Sequence, residues 1–150
     1  MALKPLVVAI GVIVVVGIGL LVFNMLQPGA PPGCTAQQCM ATVTVTGDCG
    51  NANSILVNPD PIPVGHNNHG PEIHWDIGTP TYTFAPVPNG IVINSPPPPP
   101  GEFFNPTLSS NGTKYILKDK NSVPQTYKYT VNLLHNGSAC APKDPSIMNQ

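Results

Sequence analysis

Proline stands at twenty of the 150 positions and recurs along the whole chain. Inside a helix it removes a backbone hydrogen bond and clashes with the preceding turn, at a cost of about 3 kcal/mol. No segment after residue 26 shows sustained helical periodicity. The chain beyond that point is therefore steered toward strands and turns.

Short segments of alternating character carry that expectation. In "MATVTVTG", Val43 and Val45 share one face and threonines the other. "SILVN", "EIHWDI", "TYTFA", "GIVIN" and "KYILKD" follow, and then the longest run, "QTYKYTVNLLH". That run places Tyr127, Tyr129, Val131 and Leu133 on one face against Lys128, Thr130 and Asn132 on the other. A period of two marks half-buried strands. Turn residues such as Asn58-Pro59-Asp60-Pro61, Asn89-Gly90, Asn111-Gly112 and Asn136-Gly137 separate the segments. About seven strands in this length predict an all-β domain, an immunoglobulin- or cupredoxin-like β-sandwich.

The amino-terminal part is of another kind. From Leu6 to Phe23 the sequence is unbroken by any charge or strongly polar residue, and Lys4 is the one charge before Gly33. As a helix, residues 5–26 would span roughly 33 Å, enough for a bilayer core of about 30 Å. A cleaved signal has a shorter apolar region, and Pro31 spoils the small-residue site ending at Ala30. The expectation is one uncleaved transmembrane helix with its amino terminus in the cytoplasm. The predicted organisation is residues 1–4 cytoplasmic, 5–26 anchor, 27–40 a Pro/Gly linker and 41–150 a periplasmic β-sandwich. This would place the chain in a bacterial inner membrane, in contact with the lipid bilayer. Gly11, Gly17 and Gly19 are the candidate close-approach points for neighbouring helices.

Charged residues make up only 9% of the chain, against about 25% in an ordinary globular protein. Beyond the anchor, five lysines face seven acids, and arginine is absent. Nucleic-acid binding needs a basic stripe, so it is not expected. Cys34, Cys39, Cys49 and Cys140 all follow the anchor, and an even count in an exported domain favours disulfides. Three pairings are open to four cysteines. Cys34 with Cys39 and Cys49 with Cys140 is the pairing expected here.

Pro96, Pro97, Pro98, Pro99 and Pro100 cannot occupy a central strand. They read as an exposed polyproline II crossover between two strands, and as a candidate partner contact.

"HNNHGPEIHW" gathers His66, His69 and His74 within nine positions. Imidazole is the commonest metal ligand, so these three are the candidate metal residues. Their spacing matches no established motif. Alternation puts Ile73, Trp75 and Ile77 inward and turns Glu72, His74 and Asp76 toward solvent. A blue-copper site needs two histidines, a cysteine and a weak axial ligand. In cupredoxins the late ligands run Cys, His, Met, whereas here His135 precedes Cys140 and no histidine separates Cys140 from Met148. No haem, phosphate-loop or nucleophile-elbow motif occurs. The acids, among them Asp60, Glu102 and Asp144, are scattered singly. No catalytic residue and no cofactor is expected.

"NPDPIPV", "IHWDI", "YTFAPVPNGIVI", "DKN", "YKYTVNL" and "CAPKDPSIMN" together resemble a group of small bacterial exported β-sandwich proteins. Those proteins share an Ile-x-Trp strand, a Tyr-x-Phe strand leading to Gly-Ile-x-Ile, and an Asp-Pro-x-Ile-x-Asn ending. The likeness covers roughly residues 42–149 and implies a fold without implying a reaction. In that ending, Asp144 would cap a turn and Ile147 would plug the core from an edge strand.

The expectation for function is a non-catalytic, single-span accessory subunit of a larger bacterial membrane complex, photosynthetic or respiratory, with other membrane-protein subunits as partners. A metal-binding or cupredoxin-like redox protein using His66, His69 and His74 is the first alternative. A surface ligand-binding module is the second.

Overall fold

The structure, a computed structural model, describes residue 34, residues 37–65 and residues 70–150. The expected anchor, with Gly11, Gly17 and Gly19, lies outside the described residues, and so do His66 and His69. Among the described residues no helix is long and apolar enough to cross a membrane.

The described chain is all-β. Its strands are β1 (Gln38–Val45), β2 (Ile55–Asn58), β3 (Ile62–Val64), β4 (Glu72–Ile77), β5 (Tyr82–Phe84) and β6 (Ile91–Ser95). They continue with β7 (Phe103–Leu108), β8 (Lys114–Asp119), β9 (Thr126–Val131), β10 (Leu133–His135), β11 (Ser138–Ala139) and β12 (Ser146–Asn149). Twelve short strands among the described residues replace the seven expected. One 3-10 turn, Ala52–Ser54, is capped by the Asn51 side chain. The strands form a five-stranded sheet ordered β2-β1-β4-β8-β7, a four-stranded sheet ordered β3-β12-β9-β6 and a three-stranded sheet ordered β11-β10-β5. Two pairings, β1 with β4 and β3 with β12, are parallel and the rest antiparallel.

Prolines explain two unexpected strands. Pro106 lies inside β7, which is an edge strand and is irregular between Phe104 and Thr107. Pro63 lies inside β3, also an edge. Edges and bulges are where a residue without an N–H can join a sheet. The run "QTYKYTVNLLH" is cut at Asn132. There the chain leaves its β6 and β12 partners for β5 and β11, while Asn132 N donates to Gly90 O and Asn132 O accepts from Ala85 N. Tyr127, Tyr129, Val131 and Leu133 are all buried, as their alternation requires.

Trp75 joins the sheets. Its Nε1 donates to the Tyr129 hydroxyl at 3.0 Å, and its ring meets Tyr129 edge-on at 5.4 Å and Tyr115 at 6.4 Å. Tyr115 in turn meets Phe84 at 5.7 Å, so this aromatic chain touches all three sheets. Edge-on pairs are each worth about 0.5–1.5 kcal/mol beyond their burial. Gly90 is required beneath them, because a Cβ there would lie 2.7 Å from Ala85 O and from the Tyr115 ring.

Disulfides join Cys34 to Cys39 and Cys49 to Cys140, the pairing expected. The second closes 91 residues of chain, which in the loop-entropy view removes about 4–5 kcal/mol of freedom from the unfolded state. Cys140 directly follows β11, ahead of the final strand. That final strand, β12, lies between β3 and β9, so Ile147 is fully buried from an interior strand and not from an edge. Asp144 accepts from the Thr130 hydroxyl at 2.6 Å. The run Pro96–Pro100 lies between β6 and β7, exposed at every proline except the half-buried Pro98.

Candidate functional site

The outer face of the five-stranded sheet carries the one described residue of the histidine cluster. Register sets His74 opposite Met40 on one side and Ile116 on the other. Cross-strand ion pairs flank it, Glu72 with Lys118 at 3.5 Å and Asp76 with Lys114 at 3.2 Å. Both pairs are well exposed, so each is worth about 0–1 kcal/mol.

His74 does not face solvent as its alternation suggested; it is only 7% exposed. Its Nε2 lies 3.0 Å from Glu72 Oε2, and Gln38 Nε2 lies 3.0 Å from its Nδ1 and 2.9 Å from its Nε2. With Glu72 accepting, Nε2 carries the proton, and the Gln38 amide sits over the two ring nitrogens. The His74 hydrogen bond, helped by Lys118, holds the Glu72 carboxyl below its ordinary range. Alternation correctly assigned the face of the sheet. It could not foresee that Gln38, 36 residues earlier, lies over the ring.

Beside this group is an open polar cleft of about 410 Å³ lined by Gln37, Gln38, Gly70, Glu72 and Lys118. An amide, a carboxylate and an ammonium on its walls suit a small polar ligand or a partner's polar side chains. His135, the fourth histidine, belongs to a different sheet, where it stacks on Tyr82 at 4.5 Å. Among the described residues no three His, Cys, Asp or Glu side chains converge as a metal-binding group.

A second polar site lies at the strand ends. Register pairs Phe103 with Asp119, which brings Glu102, just before β7, to the end of β8. Asn149, the last residue of β12, reaches both acids: its Nδ2 donates to Asp119 Oδ1 at 3.2 Å and to Glu102 Oε1 at 3.4 Å. Exposure is 1% for Glu102, 0% for Asp119 and 4% for Asn149. Ser122 donates its N–H to Glu102 Oε1 at 2.8 Å and its hydroxyl to Glu102 Oε2. Asn121 N donates to Asp119 Oδ1 at 2.8 Å, and Asn121 Nδ2 donates to Gly65 O.

Burial pushes the Asp119 carboxyl up to about 6, with Glu102 adding to the rise against the lowering bonds from Asn121 and Asn149. Burial, and then the charges of Glu102 and Asp119, push the Tyr127 phenol up as well. Among the described residues neither acid forms an ion pair. Glu102, read as a solitary acid, is thus buried together with Asp119. The available signal was their position, Glu102 at the entry to one strand and Asp119 at the exit of another.

Compared with protein-family models and with curated proteins, the chain matches none.

Proposed function

We propose that this chain is a non-catalytic, membrane-tethered accessory subunit whose β domain works on the exported side of a bacterial inner membrane. The observation that carries the reading is the pairing of all four cysteines in disulfides, which belong to oxidising compartments. The apolar run at residues 6–23 supports the tether. On the sheet face, His74 is held between the Gln38 amide and the Glu72 carboxylate, a geometry suited to keeping a surface in shape. The polar cleft beside it offers a partner donors and acceptors already in place. In finer terms, the sheets form an immunoglobulin- or cupredoxin-like sandwich akin to the small exported proteins whose strand motifs it resembles.

The test is the mass and composition of what accompanies the chain after mild detergent extraction from its native membrane. A defined complex with stoichiometric membrane-protein partners is expected. A lone particle of the chain's own mass plus detergent would overturn the proposal.

A further inference from the structure

The chain holds three Asn-Gly pairs, at 89–90, 111–112 and 136–137, each between two strands. An asparagine followed by glycine is prone to lose its side-chain amide, because the glycine, free of a Cβ, lets its nitrogen reach the asparagine Cγ. The fold treats the three pairs differently. At Asn111 both reacting groups are held. Its Oδ1 accepts from the Ser109 hydroxyl at 2.6 Å, the Thr113 hydroxyl at 3.0 Å and the Thr113 N–H at 3.3 Å. The N–H of Gly112 donates to Ser109 O at 2.9 Å, and Gly112 is buried. At the first pair, Asn132 pins the backbone on either side of Gly90. Its Nδ2 donates to Asn89 O at 2.7 Å and its N to Gly90 O at 2.9 Å.

Asn136 and Gly137 are the two-residue link between β10 and β11, both exposed and both at positive φ, 51° and 82°. Among the described residues no hydrogen bond holds the Gly137 N–H, and nothing lies within 4 Å of where a Cβ would stand. The Asn136 side chain has one hydrogen-bond contact among the described residues, from Nδ2 to His135 Nε2 at 3.3 Å, so Oδ1 is unrestrained. The hairpin that must flex is short, since β11 is two exposed residues. Opening of so small an edge element is cheap.

From this contrast we infer that Asn136 is a site of spontaneous modification, converted through a cyclic imide to aspartate and isoaspartate, while the fold protects Asn89 and Asn111. The Gly137 nitrogen attacks Asn136 Cγ and an N–Cγ bond forms. The Cγ–Nδ2 bond breaks, and ammonia leaves with the proton given up by the Gly137 nitrogen. Water then opens the ring. Attack at Cγ restores the main chain and leaves aspartate. Attack at the main-chain carbonyl leaves isoaspartate, whose backbone runs through the former side chain and is one carbon longer. Either product places a carboxylate next to His135, and the longer one does so where His135 pairs with Ser138. The proposal is independent of the histidine cluster and of the accessory-subunit reading.

The test is a timed incubation of the full chain at neutral pH, in mild detergent, with and without guanidinium chloride. Peptide mapping by mass spectrometry follows the amide-to-acid change at the three asparagines, and the separated isoaspartyl and aspartyl peptides report the imide route. In the folded protein Asn136 should convert at least about tenfold faster than Asn89 or Asn111, which react only after their hydrogen bonds open. In guanidinium chloride that ratio should collapse, because all three asparagines are followed by the same residue and no fold remains to tell them apart. The comparison needs no variant, so it does not depend on any altered chain folding. Similar rates at the three sites in the folded protein, or faster conversion at Asn89 or Asn111, would overturn the proposal. So would a preference for Asn136 that survives unfolding, or an acid product without isoaspartate.

Discussion

Glu72 and Asp119 belong to the same sheet, on the neighbouring strands β4 and β8, yet their carboxyls are shifted in opposite directions. Glu72 is open to water and has an imidazole and an ammonium beside it, so its charged form is favoured. Asp119 is closed to water and has another carboxylate beside it, so its charged form is penalised. The difference teaches that the sheet does not determine an acid's character. Solvent access and the sign of the nearest charge do, and both change between one face of a strand and its end.

The largest break in this comparison comes from removing one of the buried pair. Glu102→Ala strands the Ser122 donors and opens a cavity, and should cost about 3 kcal/mol in urea unfolding. An equal loss from removing Glu72 would erase the distinction between the two sites.

The next effect is in pH. Asp119 has a folded pKa of about 6 against an ordinary value of 3.8. The native state then holds an extra proton between those values. Its contribution to stability is full below about pH 4 and is lost as pH rises through about 6, by roughly 3 kcal/mol. Asp119→Asn should flatten that slope, as urea midpoints collected from pH 4 to pH 7 would show.

Glu72 carries the opposite sign. Its folded pKa is lowered from 4.5, so its contribution is present above that value and disappears as pH falls through the lowered one. Glu72→Gln should therefore remove a small acid-side loss and leave the neutral range unchanged. The smallest effect belongs to the neighbouring exposed pair. Lys114→Ala breaks its bond to Asp76 and should cost about 0.5 kcal/mol at low salt, less at high salt.

Much of the frame was legible in the sequence, because period-two alternation is a local signal. The buried face of β9, Trp75 as an inward residue, and the disulfides as the use of four cysteines could each be read from a few neighbouring positions. β3 and β7 could not, since Pro63 and Pro106 argue against strands unless one knows that these strands lie at edges. The sites were less legible for a related reason. Gln38 covers His74 through a parallel pairing that local pattern cannot reveal. Glu102, Asp119 and Asn149 meet only because β7 pairs with β8 and the β12 end arrives beside them.

The most direct measurement is a carbon-detected NMR titration of the side-chain carboxyls of Glu72 and Asp119. The account predicts that Asp119 titrates near pH 6 and Glu72 below 4.5. Titration of both acids together near pH 4 would contradict it, and would mean that water reaches the strand ends as freely as it reaches the face of the sheet.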